Sequence, residues 1–177
     1  TTFAIGNDVT GVTDNVSQED FTPNVAQDFH SAGTGGGIKG VNTAHGGNGI
    51  YLIQKTDMLT FEGVYSPSTS SSKTTGPSSN GTTPGSGYDL AVRGNLGIEG
   101  LKVGYGISEK TSETSADGDT EGKAMGIKYA MSGFTVGYGK TTNTTSAAVD
   151  TDNTTYGISY SVNDQLNVAV IQGEKST

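Results

Sequence analysis

Residues 125–139 read MGIKYAMSGFTVGYG, and the fold is decided there. Met125, Ile127, Tyr129 and Met131 alternate with Gly126, Lys128 and Ala130. After Ser132 and Gly133 the alternation resumes, with Phe134, Val136 and Tyr138 set against Thr135, Gly137 and Gly139. A period of two puts the two sets on opposite faces of an extended chain, because successive side chains of a strand point opposite ways. A small polar residue followed by glycine suits a two-residue hairpin, whose central positions take positive φ. The stretch therefore predicts two antiparallel strands joined by a tight turn, with one greasy, aromatic face and one face that is polar or nearly bare.

The pattern repeats on both sides. Tyr88, Leu90 and Val92 alternate with Asp89, Ala91 and Arg93; Leu101, Val103, Tyr105 and Ile107 alternate with Lys102, Gly104, Gly106 and Ser108. Tyr156, Ile158, Tyr160 and Val162 alternate with Gly157, Ser159 and Ser161; Leu166, Val168 and Val170 alternate with Asn167 and Ala169. Two less regular runs, 50–54 and 59–65, and a short apolar start at 3–5 bring the expected number of strands to about nine. No stretch sustains a 3.6-residue period, so the chain reads as all-β with few and short helices.

The connections alternate in length. Tight turns rich in Gly, Asn, Asp and Ser are expected at 55–58, 96–100, 132–133 and 163–165. Between them lie polar segments at 66–87, 109–122 and 141–153. In an antiparallel meander, alternate connections fall at opposite ends of the strands. Short turns at one rim and long loops at the other are the layout of a transmembrane β-barrel. All eight tyrosines fall within strand runs, which suits the interfacial girdles of such a barrel and assigns them to the lipid-facing set.

Composition agrees. Only 31% of the 177 residues are hydrophobic, too few for an ordinary soluble core, and no run of about 18 apolar residues is present to form a transmembrane helix. The absence of cysteine excludes disulfides and metal–thiolate chemistry. A formal charge of −8 argues against nucleic acid as a partner. Thr1 is not followed by a charged n-region and apolar h-region, so no secretory signal is expected within the sequence.

Residues 6–49 form a long segment without strand pattern, and connections of that length usually carry function or are disordered. It holds Asp8, Asp14, Glu19, Asp20 and Asp28, and Phe21, Val25 and Phe29 at i, i+4 and i+8 would make a short amphipathic helix after Asp20. Glycines at 33, 35–37, 46, 47 and 49 give it a pliable return. On the strands, Asp89, Arg93, Lys102 and Lys128 occupy the face opposite the greasy one.

No catalytic constellation emerges. His30 and His45 have no partner pattern, and Gly33–Gly37 lacks the GK[ST] ending of a P-loop. Asp117-Gly118-Asp119 and Asp150-Thr151-Asp152 carry the residue types of oxygen-ligand calcium sites, without the closing Glu of an EF-hand loop, and leave Ca2+ a minor expectation.

With this layout on the page, the chain resembles the trimeric general porins of the Gram-negative outer membrane. "SGFTVGYGK" and "TTYGISYSVNDQLNVAV" are similar to porin strand–turn–strand units, and the resemblance extends over nearly the whole chain. It implies an antiparallel barrel of 16 strands, of which about nine are here, so that residues 1–177 form one partial barrel domain. Segment 6–49 would be the acidic loop that folds inward to constrict the pore, and 50–177 the strand meander. Asp8, Asp14, Glu19, Asp20 and Asp28 would line the constriction; Asp89, Arg93, Lys102 and Lys128 would face the lumen. The implied partners are outer-membrane lipid, small hydrophilic solutes and ions, and two further copies of the chain.

Two features depart from the family. The chain has about half the expected length and ends on Gly173-Glu174-Lys175-Ser176-Thr177 instead of an aromatic residue. An internal fragment is therefore expected, without the early strands that supply most of the basic cluster opposite the acidic loop. The function expected is passive diffusion, with the acidic segment favouring cations. The alternative is a secreted β-sandwich or solenoid adhesin with a Thr/Ser/Gly-rich surface, which would bury its greasy faces.

Overall fold

The computed structural model describes residues 1–7, 48–67, 86–111, 119–144 and 149–177. Among them are nine strands: β1 (Thr2–Asn7), β2 (Asn48–Lys55), β3 (Leu59–Ser66), β4 (Gly87–Gly94), β5 (Leu101–Lys110), β6 (Thr120–Met131), β7 (Phe134–Thr144), β8 (Asp150–Asn163) and β9 (Leu166–Ser176). They form one antiparallel sheet in sequence order, with β1 and β9 at its edges. The constricting segment expected at 6–49, with its helix and its acidic residues, falls almost wholly outside the described residues.

Turn chemistry sets this meander. Ser132 and Gly133 join β6 to β7 with φ of 48° and 83°, the pair of positive values that matches strand twist. Leu96 and Gly97 do the same within 95–100, where Ile98 N–H donates to Asn95 O at 2.9 Å. Gly100 closes that connection at φ 76°, so near Ala130 that an added Cβ would lie 2.0 Å from its carbonyl oxygen. Only glycine fits there. The remaining turns, at 56–58 and 164–165, lie at the same rim.

At the other rim the expected loops shorten. Thr141–Thr144 pairs with Asp150–Asn153, and Glu109–Lys110 with Thr120–Glu121, so those two connections are 145–149 and 111–119. Each is still longer than the turns that flank it in sequence, although 145–149 is one residue shorter than the connection 95–100 at the opposite rim. The layout of tight turns at one rim and longer connections at the other holds.

The register sorts side chains as the alternation requires. Leu101, Tyr129, Val136, Ile158 and Val170 form one continuous cross-strand row on the apolar face. Phe134 and Tyr160, opposite one another, bring their rings to 4.3 Å between centroids. The apolar band does not follow the rows, however. The row that begins at Leu52 passes through Gly63, Leu90 and Ile107, then Lys123, Thr142 and Asp152, and reaches Ser176 on β9. On β9 the apolar centre lies instead at Val168 and Val170. With about 3.4 Å per residue and about 4.8 Å per strand, that drift corresponds to strands inclined by about 35° to the band. Closed barrels tilt their strands by about 35–45°.

Exposure is inverted relative to a soluble protein. Among the described residues, the buried hydrophobic side chains are Val64, Ala91 and Ala124, whereas Glu62, Ser66, Asp89, Ser108, Thr141, Asn153 and Thr155 are buried polar ones. All ten lie on the polar face. Apolar-face residues such as Ile5 (72% exposed), Leu52, Tyr105, Ile127, Phe134 and Val168 stand open. At roughly 1–2 kcal/mol forgone per half-exposed large side chain, this face would cost water tens of kcal/mol, more than a typical stability of about 5–15 kcal/mol. Its solvent must be apolar.

Candidate pore wall

The polar face is built from small residues between a few charges. Gly104, Gly126 and Gly139 are successive cross-strand partners, as are Gly137 and Gly157 beside Lys128, so β5–β8 put few side chains on this face, although Ile171 of β9 packs against Gly157. Glycine weakens strands, but here the aromatic residues on the other face of the same strands supply the lateral packing.

The register puts Asp89, Arg93, Lys102 and Lys128 on this face, as the alternation predicts. Asp89 is fully buried opposite Val64 and Ser108. Arg93 forks onto Glu62 of the neighbouring strand, donating from Nε to Oε2 at 3.0 Å and from Nη2 to Oε1 at 3.2 Å. The Glu62 side chain is only 3% exposed, so this pair orients the guanidinium while meeting the carboxylate's need for donors. Tyr51 adds a longer contact, its hydroxyl 3.5 Å from Glu62 Oε1.

Tyr51 corrects one expectation. It lies on the polar face beside Val64, whereas the other seven tyrosines lie on the apolar face. In the run Ile50-Tyr51-Leu52-Ile53 every residue is apolar or aromatic, so alternation there carries no parity. Glu62, Lys55, Lys110 and Lys175 also belong to the polar face and were not singled out in the sequence, because only the register reveals their partners. Asp8, Asp14, Glu19, Asp20 and Asp28 lie outside the described residues.

Charge is segregated between the faces. Within the described strands the polar face carries Lys55, Arg93, Lys102, Lys110, Lys128 and Lys175 against Glu62 and Asp89. The loop-side end of the apolar face carries Glu109, Glu121, Asp150, Asp152 and Glu174 against Lys123 and Lys140. There Asp152 accepts from Lys140 Nζ at 2.8 Å and from the Thr142 hydroxyl at 2.5 Å, and Asp150 accepts from Thr144 at 2.7 Å. Of the residues considered for calcium, Asp152 thus has an ammonium in contact with its carboxylate.

A family model of Gram-negative porins matches residues 1–174. The chain belongs to the Gram-negative porin family. No individual curated protein matches it. Porins are channels of the bacterial outer membrane, not enzymes, and membership places this chain in that membrane, with lipid around it. Family and fold agree: a porin sheet is antiparallel, greasy on one side and polar on the other.

Proposed function

We propose that this porin chain forms part of the wall of a water-filled channel for passive diffusion of small polar solutes and ions. One observation carries the reading: the large apolar side chains are exposed and the polar ones covered, across a single sheet. A β-sandwich adhesin would press its apolar face against a second sheet. Here the apolar face meets lipid and the polar face lines water. No step of chemistry and no conformational cycle is involved; permeation is set by the width and field of the lumen.

The sheet edges bear on closure. In hydrocarbon an open edge costs several kcal/mol for each unsatisfied backbone group, so β1 and β9 need partners. With nine antiparallel strands in order, β1 and β9 run the same way, and antiparallel closure requires an odd number of further strands. A barrel of 16, the number the porin resemblance implies, meets that condition. Asp8, Asp14, Glu19, Asp20 and Asp28 narrow the lumen from segment 6–49 in this reading, and the working form is a homotrimer.

Reconstitution tests it. The porin added to a planar bilayer is expected to give stepwise, ohmic conductance, and liposomes containing it are expected to swell in small sugars. A protein that dissolves in buffer without detergent and adds no conductance would overturn the reading.

A further inference from the structure

The described strands keep their glycines to the polar face, with two exceptions: Gly94, the last residue of β4, and Gly63, in the middle of β3. Gly63 lies on the apolar face between its cross-strand partners Leu52 and Leu90, both large and half-exposed. The next row on the turn side is Gln54, Phe61, Val92 and Tyr105. A missing side chain among such neighbours leaves a pit. One of about 370 Å³ opens there, within the range of about 300–1,000 Å³ in which small molecules are held. Left empty, it would forfeit the dispersion contacts of the atoms that line it.

The charged residue at the floor of the pit, Glu62, turns its side chain to the polar face, where Arg93 holds it. At the edge stands Gln54, near the turn-side end of β2 and exposed on the apolar face. Its Oε1 accepts from the Thr1 hydroxyl, and its Nε2 donates to Lys55 O at 3.1 Å. An amide nitrogen carries two hydrogens, and the second has no acceptor among the described residues. A donor left over beside hydrocarbon is costly, so it favours any neighbour that brings an acceptor. An uncharged apolar pit with one amide donor at its edge is the chemistry that receives a hydrocarbon chain ending in an ester.

We propose that this pit holds one acyl chain of an ester-linked membrane phospholipid, the chain lying over Gly63 and its ester carbonyl accepting from Gln54 Nε2. The inference rests on the apolar face meeting lipid: the pit is continuous with that interface, so lipids are the molecules that reach it. Filling it supplies the contacts that a glycine forgoes, and the hydrogen bond keeps this chain in place longer than lipids against the rest of the band. The lipid so held belongs to the turn-side leaflet, because Gln54 stands at that end of β2.

The test titrates the detergent-solubilised porin with dioleoyl phosphatidylcholine and counts retained lipids by native mass spectrometry. The parent is expected to keep one lipid per chain. Gly63→Leu, which fills the pit, is expected to raise the half-saturating lipid concentration about tenfold, equivalent to roughly 1.4 kcal/mol. Val136→Leu, on the same face beyond the pit, is expected to match the parent. The parent is also expected to prefer the diester lipid to its dialkyl ether analogue, and Gln54→Leu to bind the two alike. Equal retention by the parent and Gly63→Leu, no lipid on the parent, or a diester preference that survives Gln54→Leu would overturn the proposal. So would parent trimers that fall apart in Gly63→Leu with lipid unchanged, which would give the pit to a second copy. Should Gly63→Leu fail to fold, Ile107→Trp, which narrows the pit from β5, takes its place with the same expectations. Conductance of the same preparation in a planar bilayer keeps the outcomes apart: a parent that conducts but retains no lipid loses the pit alone, and one that dissolves without detergent and does not conduct loses the lipid-facing reading.

Discussion

Arg93 and Glu62 face each other obliquely across β3 and β4, joined by two hydrogen bonds of 3.0 and 3.2 Å on the polar face of the sheet. The carboxylate is covered and the guanidinium partly open. Removing the arginine would take two charge-assisted donors from a buried carboxylate, and that penalty exceeds what an exposed pair contributes. Arg93→Met is expected to lower stability by on the order of 2 kcal/mol, read as a drop in the heat needed to unfold the detergent-solubilised protein. The double change Arg93→Met/Glu62→Met is expected to recover most of the loss. A single variant as stable as the parent would show that the pair only decorates the wall.

Gly100 offers a test of the strand register. Its φ of 76° and its approach to Ala130, whose N–H donates to Gly100 O at 2.9 Å, leave no room for a methyl group. Gly100→Ala is expected to destabilise by roughly 2 kcal/mol or more and to reduce the folded fraction recovered from membranes. Gly126, half-exposed on the polar face between the glycines Gly104 and Gly139 and away from any turn, is the control. Its alanine variant is expected to fold like the parent, and equal damage from both changes would contradict the assignment.

The acidic segment and the cationic wall pull selectivity in opposite directions. Replacing Glu19, Asp20 and Asp28 together by Gln, Asn and Asn is expected to lower cation-over-anion permeability at low salt, with little effect at 1 M. Lys102→Gln/Lys128→Gln is expected to raise it. Unchanged reversal potentials in the first variant would place those acids away from the constriction.

The strands of the band were legible in the sequence because one face is apolar and the other is not, as in Met125–Met131. The same rule failed where both faces have one character. Thr141–Thr144 and Asp150–Asn153 read as loop, since these strands run on past the apolar band and are polar on both sides; Thr154, Asp152 and Asp150 extend β8 by about 20 Å beyond Tyr156. Tyr51 failed for the opposite reason, with apolar residues on either side. The Arg93–Glu62 fork and the facing Lys102 and Lys128 are properties of register, which pairs residues 31 and 26 positions apart, and no local pattern announces them. The resemblance to the family, by contrast, could be read from that repetition taken with the alternating short and long connections, because the lipid imposes the same alternation on every strand.

Which face meets lipid is the central claim, and spin labels placed one residue apart test it most directly. Single cysteines at Val103, Tyr105, Val136 and Ile158, compared with Lys102, Gly104, Gly137 and Ser159, carry the label in reconstituted bilayers. The first set is expected to relax faster with oxygen, which concentrates in lipid, and the second with a water-soluble nickel chelate, so that accessibility alternates at period two along β5, β7 and β8. Alternation in the opposite phase, with nickel reaching the apolar set and oxygen the polar one, would contradict the account.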